Sequence, residues 1–450
     1  MSNGVVETGL NLIPAGYKQT EVGVIPEDWE CSNFDYICST IGDGIHSTPT
    51  YNDNGEYFFI NGNNLIDGKI TMFNETKKTD FVEFYKHKKN LNERTILLSI
   101  NGTIGNIAFY RDEQIVLGKS AAYLNIKSTI DKYYIYYCLC SEKTLQTFYD
   151  GLTGSTIKNL GLGTIRTTNI PLPPKKEQNA IAKALSDVDA LISELENLIA
   201  KKQAIKNATM QQLLTGRTRL PQFELRKDGS KKSTKQSELG EIPEDWEVKM
   251  VFELADCQKS LFDDGDWIEA EHITNKGIRL IQTGNIGVGR YVDKDTKKYI
   301  FKESFEKLKC KELHEGDLLI CRLAEPAGRA CIFPYIGEDK VITSVDVTIF
   351  RPSHKVTSRE FYNQYFSSSD WFKSVLEQVG GTTHKRISRG ALGRISVRYP
   401  NIEEQTAIAT ILSDMDKDIQ TLEQRLSKTR QIKQGMMQEL LTGKTRLVND

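Results

Sequence analysis

Residues 242–249, IPEDWEVK, set an aspartate, a glutamate and a lysine close together, the residue types of a metal-dependent nuclease. The spacing argues against that chemistry, because Asp245 and Glu247 are too close in sequence to reach one metal from neighbouring strands. A second copy of the phrase, IPEDWEC at 25–31, loses the lysine. TGKT at 442–445 has the last letters of a phosphate-binding loop, but Gln438 stands where that loop's first glycine belongs. It also closes a helical pattern, whereas phosphate sits where a helix opens. No N/D-P-P-Y/F run of an amino-methyltransferase occurs, and GLTGSTIKNLGLG (151–163) lacks the strand and later acid of a dinucleotide site. The six histidines (46, 87, 272, 314, 354 and 384) form no H-E-x-x-H, and the eight cysteines form no C-x-x-C. The expectation is a chain with no catalytic residue, no metal and no cofactor of its own. The IPEDW phrase then reads as an anchoring turn with Trp29 and Trp246 buried.

That phrase belongs to something larger. EVGVIPEDWE (21–30) and ELGEIPEDWE (238–247) share eight of ten residues, 217 positions apart. LLTGRTRL (213–220) and LLTGKTRL (440–447) lie 227 apart, as do the segments from Glu177 and Glu404 that begin EQ-x-A-I-A. Weaker echoes lie between: FFINGNNL (58–65) against RLIQTGNI (279–286), and ILLSI (96–100) against DLLIC (317–321). The ends of the unit are kept while its middle has drifted, which describes an internal duplication with divergence and not a solenoid array.

Within each copy, residues 21–173 and 238–400 mix short β-like runs such as YFFI, TILLSI and KVITSVDVTIF (340–350) with Asn and Gly turns, giving α+β domains. The segments that follow are helical. Lys175–Leu214 contains no Pro or Gly, and Ile181, Leu185, Val188, Ile192, Leu195 and Ile199 step by four and three. The second copy repeats this with Ile408, Leu412, Met415, Ile419, Leu422 and Leu426. This is the narrow a/d seam of a coiled coil. Forty residues make a rod of roughly 60 Å. Gly216 and Gly443 supply stops, and Asn401 with Glu404 supplies a capping box. The expected fold is therefore α+β, with two domains separated by two long helices that form an antiparallel coiled coil, a pseudo-twofold internal duplication. Each helix packing on its own domain, or pairing between chains, is the alternative. The expected layout is an N-terminal extension (1–20), domain 1 (21–173), spacer helix 1 (174–216), a linker (217–237), domain 2 (238–400), and spacer helix 2 with the C-terminus (401–450). The basic, Ser-rich RKDGSKKSTKQSE (226–238) reads as flexible linker.

Lys plus Arg total 59 against 60 for Asp plus Glu, a net charge of −1, which excludes a protein that coats nucleic acid by charge alone. No stretch is long and apolar enough for a membrane span, and the scattered cysteines suit a reduced, cytoplasmic protein.

A G-x-I-P-x-D-W opening, a heptad helix beginning EQ-x-A-I-A and an LLTG-[KR]-T-RL end, all written twice and in order, resemble the specificity subunit of type I restriction–modification systems. DGIHSTPTY (43–51), LIQTGNIGVG (280–289), GSTIKNLGLG (154–163) and GTTHKRISRG (381–390) add to the likeness. The resemblance implies two target recognition domains, each reading one half of a split, asymmetric double-stranded DNA site. It also implies that the paired helices serve as spacer and as dock for two methyltransferase subunits, with motor/nuclease subunits joining. A coiled-coil scaffold whose globular ends bind protein is the competing reading.

Base readout needs Arg, Lys, Asn or Gln at groove edges. The strongest basic cluster is Thr383, His384, Lys385, Arg386 and Arg389, with Lys158 as its counterpart. NGNN (Asn61, Asn63, Asn64) and QTGN (Gln282, Thr283, Asn285) either present amides to adenine or satisfy their own turns. Asn101 and Arg322 follow the two matched strands and complete the candidate set.

Overall fold

The computed structural model describes residues 13–154, 158–380 and 385–447. Six helices carry the argument: α1 (Lys132–Cys140), α2 (Glu142–Asp150), α3 (Lys175–Thr215), α4 (Arg359–Tyr365), α5 (Ser369–Gln378) and α6 (Ile402–Leu440). The chain divides into two compact units, one of residues up to Glu196 together with Arg425 onward, the other Asn197–Gln424. Each unit thus holds one half of α3 and one half of α6. No helix among the described residues is long and apolar enough to cross a membrane.

Unit 1 is built on an antiparallel sheet in the order Ile107–Phe109, Thr95–Ser99, Ala121–Ile126, Cys38–Asp43. A smaller mixed sheet pairs Tyr57–Ile60 in parallel with Ile115–Leu117. Unit 2 repeats both: Ala330–Ile332, Leu318–Cys321, Val347–Phe350 and Phe262–Asp264, with Ile278–Ile281 parallel to Val341–Thr343. The run 340–350, read as one strand, is broken at Ser344. Its first half joins the mixed sheet and its second half the antiparallel one, so the chain changes sheets within three residues. Gly265 and Gly44 allow this crossing in the two units. A Cβ there would lie 2.4 Å from Ser344 O and 2.2 Å from Gly118 O respectively.

The repeated phrase is the keystone of each unit. In unit 1, Trp29 is fully buried, and its indole N–H donates to Glu177 Oε2 at 3.0 Å. Arg446 donates to both Glu177 oxygens (2.7 and 2.9 Å) and to both oxygens of Asp28 (3.0 and 2.7 Å). Unit 2 repeats this with buried Trp246 on Glu404 Oε2 (2.9 Å) and Arg219 on Glu404 (2.6 and 2.7 Å) and Asp245 (2.9 and 3.3 Å). Gly443 and Gly216 end the helices with φ of +71° and +74°, and a Cβ on either would come within 2.5 Å of the proline of the phrase. The phrase therefore sits where one long helix begins and the other ends.

The adjacent glutamine completes the joint. Gln178 donates to Pro173 O (2.8 Å) and accepts from the N–H of Asp131, the cap of α1. Gln405 does the same with Pro400 and Ser358, the cap of α4. The EQ pair at each helix start thus ties domain to helix twice. Asn401 caps α6 by accepting from Glu404 N at 2.8 Å, but Glu404's own carboxylate serves Trp246 and Arg219 and closes no reciprocal box.

Residues 226–238 are ordered. Arg226 grips Glu244 (3.0 and 2.6 Å), Lys232 pairs with Asp245 at 2.7 Å, and Thr234–Ser237 forms a hairpin with Gly240–Pro243. The basic composition that suggested flexibility is charge complementary to the acidic IPED phrase. The equivalent hairpin in unit 1 joins Tyr17–Thr20 to Gly23–Pro26, so each repeat starts before its matching phrase.

Glu404→Ala strands the Trp246 donor and the Arg219 charge, and is expected to destabilise unit 2 by about 3–5 kcal/mol. Three of the four tryptophans (246, 267 and 371) lie in unit 2, so fluorescence-detected urea unfolding reads that change as a lowered midpoint. The hydrogen bond from Arg446 holds Asp28 below the usual carboxylate range. A carboxylate lowered on folding stabilises above its unfolded pKa and loses that stabilisation as pH falls through the folded value. Amide exchange in the hairpin 17–26 is therefore expected to accelerate as pH drops below about 4.

Candidate functional site

In unit 1, loops from both sheets converge on one edge. Ser120 Oγ donates to Asn61 Oδ1 (2.8 Å), and Asn101 Nδ2 donates to Lys119 O (3.3 Å). Asn101 also bridges to Asn159 through the backbone, and Leu160 N donates to Ile100 O at 2.8 Å. Asn61, Asn101 and the segment opening at Lys158 are thereby neighbours. Asn63 and Lys158 are exposed, whereas Asn61 and Asn101 are half-buried. Unit 2 gathers the corresponding loops: Arg322 N donates to Asp346 O, Ile387 N to Arg322 O and Ala324 N to Lys385 O. Buried Arg329 staples them by donating to the carbonyls of Thr283, Ile286, Leu323 and Pro326.

The two polar turns are the same structure. Asn64 Oδ1 accepts from Asn61 N (2.9 Å) and its amide donates to Thr71 O (3.0 Å); Asn285 does so with Gln282 N (3.0 Å) and Val292 O (2.9 Å). Asn64 and Asn285, 4 % and 3 % exposed, are consumed by their own turns and are corrected from base readers to structural residues. Gln282 and Thr283 remain half-exposed beside them.

Arg322 is likewise corrected. Backbone pairing aligns Ser99 with Cys321, through Ala121 and Val347, so Arg322 matches Ile100 and not Asn101. The letters ILLSI and DLLIC had suggested a register one residue off, and a one-residue slip turns a strand's side chains to the other face. Arg322 is 3 % exposed, donates to Val345 O and Ile387 O, and lies 3.1 Å from Asp264. Burial lowers its pKa, with Asp264 opposing that shift.

Lys385 and Arg386 are exposed. Arg386 pairs with Asp346 at 2.8 Å, and Arg389, half-buried, pairs with Asp263. Thr383 and His384 lie outside the described residues.

Along the helices, Ile181, Leu185, Leu195, Ile408, Leu412 and Ile419 are buried. Val188, Ile192, Ile199, Met415, Leu422 and Leu426 are half-buried. Polar contacts that the apolar seam did not reveal fix the register. In unit 1, Lys433 pairs with Asp189 (2.6 Å), which also accepts from Tyr137 OH (2.8 Å). In unit 2, Lys206 pairs with Asp416 (2.5 Å), which accepts from Gln364 (2.8 Å). All three positions recur at the 227-residue offset, a signal present in the sequence. They set the helices antiparallel in each unit and join both to a domain helix.

Beside each triad lies a groove. In unit 1 a cavity of about 540 Å³ runs between α2 and the end of α6, with Met437, Gln438 and Leu441 on its helix wall. In unit 2 a cavity of about 330 Å³ has Met210, Gln211 and Leu214 in the matching places.

The acidic phrase is committed to structure, since Asp245 is bound by Arg219 and Lys232. Burial pushes the thiols of Cys38, Cys138 and Cys331 up to about 12, away from nucleophilic use. Among the described residues no three His, Cys, Asp or Glu side chains are grouped to hold a metal ion.

The family model described as the type I restriction modification DNA specificity domain matches residues 26–207 and again 243–431. The type I restriction enzyme MjaVIII specificity subunit of Methanocaldococcus jannaschii is 27% identical over 432 residues, 94% of this chain and 95% of its own length. The putative MjaX specificity subunit of the same organism is 28% identical over 445 residues, covering 96% and 97%. The crystal structure of a type I restriction–modification S subunit from M. genitalium superposes with a TM-score of 0.54 at 16% identity, covering 92% of this chain and 96% of that one. Because the family model matches most of the chain, once in each copy of the repeat, the chain belongs to the type I restriction–modification specificity subunits.

Proposed function

We propose that this chain is the DNA-reading, non-catalytic subunit of a type I restriction–modification complex acting in the cytoplasm. Each unit reads one half of a split, asymmetric double-stranded site through its convergent loops. The observation that carries the reading is the coincidence of the duplicated family match with a loop cluster that is duplicated in position and divergent in chemistry. Unit 1 offers Asn61, Asn63, Asn101 and Lys158, and unit 2 offers Gln282, Thr283, Lys385, Arg386 and Arg389. Different side chains on equivalent loops suit two different half-sites.

The long helices act as the spacer between half-sites, held in register by the Lys–Asp pairs. The two grooves, repeated on the same helix positions, favour two copies of one partner, the methyltransferase subunit, with motor/nuclease subunits joining that core. The near-neutral charge fits a chain whose partners share the phosphate contacts.

Selection of the chain with its methyltransferase subunits on a random-sequence duplex library tests the central reading. Enrichment of one two-part motif is expected, and retention without any sequence preference would leave the protein-binding scaffold. Inserting one helical turn before Leu213 is expected to lengthen the unread gap and leave both half-sites unchanged; altered half-site bases would contradict the spacer role. Gln438→Trp and Gln211→Trp each fill one groove, and each is expected to lower the methyltransferase count from two to one by native mass spectrometry. An unchanged count would remove the grooves from the docking surface.

A further inference from the structure

One pair of neighbouring positions in the reading loops changes from neutral to charged between the two units. Asn159 in unit 1 is replaced by Arg386 in unit 2, at the same backbone bridge to the preceding strand. Ser120, whose carbonyl accepts from Ile100 N, is replaced by Asp346, whose carbonyl accepts from Arg322 N. Unit 2 therefore carries an ion pair where unit 1 carries two neutral polar groups.

That ion pair is poorly suited to attracting phosphate. Asp263, Asp264, Asp266 and Asp346 face Lys311, Arg322, Arg386 and Arg389 across this edge, four charges against four. Surplus positive charge is what attracts the phosphate backbone, and these four matched cations supply none. The arrangement orients instead. Arg386 is fixed through its main chain by bridges to Leu323 and Gly380, and its guanidinium lies 2.8 Å from Asp346 while its side chain stays 44% exposed. That contact is made by one nitrogen of the planar fork, Nη2, against Asp346 Oδ1, so the other N–H groups of the half-exposed guanidinium are available to donate outward. Asp346, with 23% of its side chain exposed, keeps acceptor capacity next to them.

A rigid donor fork beside an acceptor matches one base pair in the major groove. Guanine presents two acceptors, O6 and N7, and its partner cytosine presents the N4 amino donor. We propose that Arg386 and Asp346 together read a G·C pair in the half-site of unit 2, with Arg386 donating to guanine and Asp346 accepting from cytosine. Asp346 also positions Arg386. The assignment rests on the DNA-reading function proposed above and names the base pair that this part of the site recognises.

The test uses the complete complex with its methyltransferase subunits, the site selected by the unaltered chain, and a set of duplexes carrying every single base-pair change. Arg386→Ala is expected to abolish discrimination at one G·C position in one half-site, a loss of ~10-fold or more. Preferences at the remaining positions of the same half-site stay intact, which also shows that the variant unit folds. Arg386→Lys keeps the charge and loses the fork, and is expected to leave that position relaxed. Asp346→Asn is expected to weaken the same position and no other. Uniform weakening across all duplexes would make Arg386 a phosphate contact and overturn the proposal, as would unchanged preferences. If the unaltered complex shows no preference in either half-site, the DNA-reading function itself fails, and that outcome is distinct from a failure at this one pair.

Discussion

A buried glutamate with three donors holds each half of this protein together. Glu177 and Glu404, 2% and 1% exposed, each face a tryptophan indole and a two-pronged arginine, and that arginine also grips an aspartate of the repeated phrase. A carboxylate so deeply buried is tolerable only when fully partnered. The partners come from three places: the phrase that opens the domain, the residue two positions into its helix, and the tail that follows the other helix. None of them can drift while the others stay, which accounts for the duplication keeping its ends and releasing its middle.

The helix pair inherits its register from the same economy of charge. The apolar seam alone permits sliding, since half of its residues are only half-buried. Lys206 with Asp416, and Lys433 with Asp189, forbid it, because a shift by one turn would separate each pair and leave the mostly buried Lys206 without its carboxylate. Gln364 and Tyr137 extend that fixity to the domains, so the loop edges stand on a rigid base. On such a base, loop side chains can vary without disturbing the frame.

Much of this was legible before any coordinates. The repeats, the two long helices, their glycine stops and the burial of both tryptophans follow from spacing and residue type. What escaped the sequence was decided by contacts between distant residues. Arg322 looked like a strand-end cation, but an inserted residue in the second copy shifts its register and turns it onto Asp264. Asn64 and Asn285 stood open between base readout and their own turns, because nothing in their letters says that Thr71 and Val292 will return to receive them. The 226–238 stretch looked like linker because its letters are basic and Ser-rich, and nothing in them names Glu244 and Asp245 of the anchoring phrase as their partners.

On the proposed function, the two halves of the DNA site are read independently at a set separation. Base-resolution mapping of adenine methylation in cells carrying this chain and its partner subunits tests that claim most directly. The account predicts one motif of two unlike, short blocks separated by a gap of constant length and indifferent sequence. A continuous motif, a variable gap, or methylation without a motif would contradict it.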